Sequence, residues 1–108
     1  MKNIRALALA GAVCTAMSFA TTATAADAEA GAKKAETCLG CHGVAHYVNT
    51  YPTYHVPKLA GQHELYLVAA LKAYRDKQRS HATMHANAAA LSDEDIADIA
   101  AYLASANK

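Results

Sequence analysis

The sequence predicts a small all-α domain built around a group that its own side chains do not supply. Three observations carry that prediction. Apolar residues recur at helical spacing in two segments of the C-terminal half, an Ala-rich segment precedes them, and no clear strand run appears beyond a few Val and Tyr in one loop. The aliphatic inventory is thin: residues 26–108 hold seven Leu, four Val, two Ile and no Phe, against 20 Ala. A domain of this size with so little core material ordinarily needs a disulfide, a metal or a large buried ligand. The third observation is the string Cys38-Leu39-Gly40-Cys41-His42 at the end of the first helical segment.

The elements follow in chain order. Lys2 and Arg5 precede a small, largely apolar run from Ala6 to Ala20, and Ala23-Thr24-Ala25 has the A-x-A form of an export cleavage site. Residues 1–25 are therefore expected to be a cleaved signal peptide and residues 26–108 the exported domain. The run is too Ala-rich and too short for a membrane anchor, which needs about 20 strongly apolar residues. The 108-residue chain carries 10 Lys+Arg against 9 Asp+Glu, and the expected mature chain is close to neutral, so nothing in its charge asks for nucleic acid. A first helix is expected from Ala28 to Leu39, delivering the cysteine string at its C-terminal end. Gly43 to Gln62, with Pro52, Pro57 and Gly61, is expected to be an irregular loop. A second helix is expected from His63 to Gln78. Leu67, Leu71 and Tyr74 share one face, and Lys72, Arg75 and Lys77 lie where cations favour a helix C-terminus. Arg79 to Leu91 is expected to be a second loop, and a third helix starts at Ser92 as N-cap, with Asp93, Glu94 and Asp95 in its first turn and Ile96, Ile99 and Leu103 on its apolar face.

Cys14 belongs to the export segment, which leaves Cys38 and Cys41 as the only thiols of the mature chain. A disulfide closing so short a loop would constrain the unfolded chain little. Zinc would need about four ligands, and the chain offers no second cysteine pair. A redox dithiol of the thioredoxin kind needs a βαβ framework that is not evident here. The pattern fits covalent haem attachment: two thiols add to the haem vinyl groups and His42 comes under the iron. A low-spin haem that carries electrons needs a second axial ligand. Met84 is the only methionine outside the export segment, and it lies in a polar stretch without a helical apolar stripe. A thioether favours ferrous over ferric iron and raises the potential. His46, His55, His63, His81 and His85 are expected to be solvated side chains, with His85, adjacent to Met84 on the expected loop, the imidazole able to exchange with it at alkaline pH.

Taken together, Cys38-Leu39-Gly40-Cys41-His42-Gly43, Pro57-Lys58-Leu59-Ala60-Gly61-Gln62, Tyr66-Leu67, Leu71, Met84 and the stretch from Leu91 to Leu103 resemble the class I c-type cytochromes, and most of all a single domain of the cytochrome c4 and c553 group. The resemblance implies a small cytochrome c fold in which N- and C-terminal helices cross around one covalently bound haem c. It implies His42 and Met84 as axial ligands, and Pro57 as the residue whose carbonyl accepts a hydrogen bond from the ligand histidine. Lys34 and Ala35 stand where many relatives have an aromatic residue near the end of the first helix, so a looser crossing is expected. Asn87 replaces a second Met often found near the ligand. Val44 to Val56 is longer and more aromatic than the group's pattern, and its Tyr and His residues suit either a docking surface or a loop packed over the haem.

The expected function is a soluble periplasmic one-electron carrier that serves redox partner proteins, peripheral contact with membrane respiratory complexes included. Two strong iron ligands argue against substrate chemistry, so no enzymatic activity is expected. The alternatives are a cytochrome subunit feeding or draining a periplasmic oxidoreductase, and a haem-based small-ligand sensor with a labile Met84. The basic residues Lys72, Arg75, Lys77 and Arg79, set against Asp76 alone, fit either a patch for an acidic partner or simple helix-end complementation.

Overall fold

The computed structural model describes residues 24–106. The expected signal peptide, all but its last two residues, lies outside them. Among the described residues no helix is long and apolar enough to cross a membrane.

The elements are α1 (Ala28–Lys34), α2 (Glu36–His42), β1 (Val48–Asn49), β2 (Tyr54–His55), α3 (Glu64–Arg75), α4 (Ala82–Ala88) and α5 (Asp93–Ser105). The fold is all-α in its framework, as expected: α1 packs along α5, α3 packs on α5, and α4 packs on α3. Ala35, Leu67, Leu71, Ile96, Ile99, Ala100 and Leu103 form one buried cluster, with Leu39, Leu59 and Met84 packed on it.

Helix α5 starts where Ser92 predicts. The Ser92 hydroxyl accepts from the Asp95 amide and the Asp95 carboxylate accepts from the Ser92 amide, a reciprocal cap that satisfies two end donors. The N-terminal helix differs from expectation. Instead of one helix ending at Leu39 there are two, interrupted at Ala35, and the second runs through His42. Ala35 has ψ 0°, and the Cys38 amide donates to its carbonyl at 2.9 Å, a tight turn that no Gly or Pro announces in the sequence. Helix α3 ends three residues before the expected Gln78. Lys77 takes the left-handed conformation (φ 59°), and the Gln78 amide reaches back to the Ala73 carbonyl at 2.8 Å, a helix stop normally built on Gly.

The expected loop from Arg79 to Leu91 contains a helix, α4. Its apolar face is only Met84 and Ala88 wide, too short for a periodic signal, and its start depends on a side chain outside the usual capping set: the His81 ring accepts from the Met84 amide at 3.4 Å. The 43–62 segment also holds a short antiparallel pair, Val48 opposite His55 and Asn49 opposite Tyr54. Gly61, at φ 78°, lets its amide donate to the Leu103 carbonyl of α5 at 2.8 Å, which ties the end of this segment to the core.

The crossing of α1 with α5 is tight, not loose. A Cβ on Gly31 would fall 2.0 Å from the Asp98 carbonyl oxygen, so only glycine allows this approach. Lys34, in place of the expected aromatic, bonds Asp98 at 2.7 Å and Asp95 at 2.8 Å, and the Asp27 amide donates to the other Asp98 oxygen at 2.7 Å. Polar contacts to a carboxylate only 5% exposed thus do what ring packing does elsewhere. Gly31→Ala is expected to cost about 3 kcal/mol, the upper end for overpacking, because backbone and not a flexible side chain must yield. The denaturation midpoint in urea checks this.

The same contacts set the pH response. Lys34 holds both aspartate carboxyls below their ordinary value of 3.8, and they hold the Lys34 ammonium above its ordinary 10.5. The carboxylates' contribution is therefore complete above about pH 4 and is lost as pH falls through their lowered values, whereas the lysine's is complete below about pH 10 and lost only in strong alkali. Melting temperature should form a plateau between these limits and fall on the acid side. Lys34→Met should lower the plateau by several degrees and flatten the acid limb; an acid limb of unchanged shape would assign it to other groups.

Candidate functional site

The helices surround a central cavity of about 450 Å³. Helix α2 contributes Cys38, Cys41 and His42; the segment after it contributes Tyr54, Val56, Pro57 and Leu59; α3 and α5 supply Leu67, Leu71, Ile99 and Leu103; α4 and its cap supply Met84 and His81. All five site residues expected from sequence line this one space, although they are spread over 47 positions of chain from Cys38 to Met84.

His42 is the last residue of α2, and its Nδ1 lies 2.7 Å from the Pro57 carbonyl oxygen. A carbonyl only accepts, so Nδ1 carries the proton and donates. In the tautomer this bond selects, Nε2 is the nitrogen that carries the lone pair, and it has no hydrogen-bond partner among the described residues. That is the tautomer a metal-binding imidazole uses, with its ring orientation fixed from behind. Cys38 and Cys41 are free thiols, the first half-buried and the second exposed. Burial pushes the Cys38 thiol above its ordinary value, so it stays protonated near neutrality, the reverse of the depressed thiols that drive dithiol exchange.

Met84 is half-buried, packs against the core cluster and lines the cavity. The expected exchange with His85 is corrected here. On a helix, successive residues point about 100° apart, so no one-residue slip of a loop is open to them. His85 is not among the cavity-lining residues, and its Nδ1 lies 3.0 Å from the Tyr74 carbonyl. Besides His42, the imidazoles that line the cavity are His55 and His81, and the His81 ring meets Tyr54 edge-on at 4.7 Å. His81 and His85 are thus packed side chains and not the solvated ones expected.

The fit to a haem is good. The space is of ligand size and largely apolar in its walls, as a flat macrocycle needs. The donor set is two thiols, a proton-directed imidazole and a thioether, which matches haem c chemistry. Among the described residues no group of three or more His, Cys, Asp or Glu converges as a zinc cage would require.

Two further expectations change. Two of the four basic residues are paired internally, because Asp93 bonds Lys72 at 3.0 Å and Arg75 at 2.7 Å; only Asp76 was visible as a counter-charge along the sequence. The aromatic segment is divided in use: Tyr54 faces the cavity and its hydroxyl donates to Thr83 at 3.2 Å, while Tyr51 at the hairpin tip is 92% exposed. Tyr66, Tyr74 and Arg79 also line the cavity, a role the sequence reading did not give them.

Residues 28–107 match the family model for cytochrome c. The chain is 50% identical over 84 residues to cytochrome c-554(548) of Halomonas halodenitrificans, across 75% of this chain and 98% of that protein. It is 44% identical over 81 residues to a cytochrome c4 of Pseudomonas aeruginosa, across 75% of this chain, and it spans only 39% of that longer protein's length. A cytochrome c4 of Stutzerimonas stutzeri is 40% identical over 90 residues, with 41% of its length spanned.

Proposed function

The chain belongs to the cytochrome c family, a class I, c4-like member and a haem-based electron carrier; from this we propose that it shuttles single electrons in the periplasm with one haem c, attached through Cys38 and Cys41 and ligated by His42 and Met84. When bound, such a haem supplies the chemistry, cycling between ferric and ferrous iron.

The observation that carries this reading is the convergence of both thiols, the Pro57-oriented imidazole and the lone thioether on one cavity. The chain's own contributions follow from geometry. Pro57 holds the His42 proton on Nδ1 and so keeps Nε2 basic toward a metal. Leu67, Leu71, Ile99 and Leu103 exclude water from the interior side, which strengthens every electrostatic interaction inside. Cys41 is exposed, so a haem held through it would be reachable there by a partner for transfer. Export is supported by the sequence of residues 1–25, since both secure covalent attachment and carrier traffic belong outside the cytoplasm.

A redox titration followed by visible absorption, performed on protein recovered from the periplasmic fraction, tests the whole reading. A single one-electron transition with a ferric iron–thioether charge-transfer band is expected. Colourless protein, more than one transition, or rapid carbon monoxide binding by the ferrous form would overturn it, the last in favour of a small-ligand sensor.

A further inference from the structure

Helix α4, which carries Met84, is held unequally at its two ends. At the C-terminal end Ala88 is fully buried, and the His85 ring bonds the Tyr74 carbonyl of α3 at 3.0 Å. At the other end Ala82 and Thr83 are exposed, and the His81 cap reaches the Met84 amide only at 3.4 Å. Seven residues are too few to make a helix stable by themselves, so its first turn depends on outside contacts. Tyr54 of β2 supplies two. Its hydroxyl donates to the Thr83 hydroxyl at 3.2 Å, and its ring meets the His81 ring edge-on at 4.7 Å. Tyr54, His81, Thr83 and Met84 all line the cavity. The hairpin that presents Tyr54 is itself braced: the Asn49 side chain donates to the Pro52 carbonyl at 2.7 Å, the Thr53 hydroxyl to the Thr50 carbonyl at 2.9 Å, and the Val56 amide to the Tyr47 carbonyl at 3.0 Å. Pro57, whose carbonyl orients His42, follows directly. One short stretch of chain thus reaches both the imidazole and the turn that bears the thioether.

Resting on the His42 and Met84 ligation put forward above, we propose that Tyr54 is a positioning residue: it fastens the first turn of α4 to the hairpin and so keeps the Met84 thioether over the sixth position, closed to exogenous ligands. Opening that position requires the first turn to swing away from the cavity, which breaks both Tyr54 contacts. Contacts present in the closed state and absent from the open one shift the balance toward closure by their own strength. The sequence conceals this role, since the aromatic segment suits a docking surface and a covering loop equally well. Tyr54 serves the second purpose, whereas Tyr51 at the hairpin tip stands clear of the cavity.

The test titrates ferric holoprotein with imidazole and follows loss of the iron–thioether charge-transfer band in wild type, Tyr54→Phe, Thr83→Val, the double variant and Tyr51→Phe. Apparent imidazole affinity is the intrinsic affinity of the opened haem multiplied by the fraction of protein that is open. It should rise about two- to tenfold in Tyr54→Phe, the range that one lost hydrogen bond gives, and by a similar factor in Thr83→Val. The double variant should match either single variant, because both remove the same bond. Tyr51→Phe, on the same hairpin but not among the cavity-lining residues, should leave the affinity unchanged. A merely structural Tyr54 would lower the melting temperature of Tyr54→Phe without changing its imidazole affinity, and that result overturns the assignment. Single effects that multiply in the double variant overturn it too. Where Tyr54→Phe cannot be purified with haem, Thr83→Val decides: a rise supports the assignment and wild-type affinity overturns it. Wild-type protein without the thioether band would instead remove Met84 from the ligand set, an outcome distinct from all of these.

Discussion

Replacing Met84 with alanine is expected to leave the haem attached and to open its sixth coordination position. Attachment is expected through Cys38 and Cys41 of α2, whereas Met84 lies on α4 and is the only methionine of residues 26–108. Loss of a sulfur ligand that favours ferrous iron should lower the reduction potential by on the order of 0.1 V, a modest part of the roughly 0.8 V that axial ligation spans. The ferric charge-transfer band should vanish, and the ferrous form should bind carbon monoxide. His81 is the competing imidazole, because it lines the cavity and its ring caps the helix that carries Met84, whereas His85 does not line the cavity and His55 lines it from the segment after α2. Carbon monoxide should therefore bind faster to Met84→Ala/His81→Ala than to Met84→Ala, while Met84→Ala/His85→Ala should match Met84→Ala. An unchanged spectrum and potential in Met84→Ala would remove Met84 from the ligand set.

The second large effect is expected from Cys38→Ser/Cys41→Ser. Fully buried side chains larger than Ala are few: Ile96, Ile99 and Leu103 are at most 2% exposed, with Leu67 and Leu71 close behind. They line or flank a cavity of about 450 Å³. Without a group to fill it, the apolar walls of this space face water and lack the partner surface that would complete the core. The variant should therefore lack a cooperative thermal transition and near-ultraviolet dichroism when no haem is retained. A compact apo-protein with a sharp melt would contradict the view that the cofactor completes the core.

Features legible in the sequence share a physical character: each is encoded by chemistry within one turn or one short string. The Ser92–Asp95 cap, the α3 face of Leu67 and Leu71 and the Cys38–His42 string were all of this kind. Of the features that escaped, some are local but leave no mark in residue type or period, and others depend on partners distant in the chain. The break at Ala35 has no residue of its own to announce it, and α4 is too short to show a period and is capped by a histidine. The ionic lock joins Lys34 to carboxylates more than 60 positions away, and what looked like a basic patch loses two members to Asp93 across the fold.

By itself the sequence determined the composition of the site: two thiols, an adjacent imidazole, one thioether and too few aliphatic residues to close a core without a cofactor. Local bonding rules and a shortage of apolar volume are properties of the chain before it folds. Only the tertiary structure decided which imidazole lines the cavity beside the thioether, which cations remain unspent and how closely α1 approaches α5. Those outcomes depend on distances between segments remote in sequence, and such distances exist only once the segments pack.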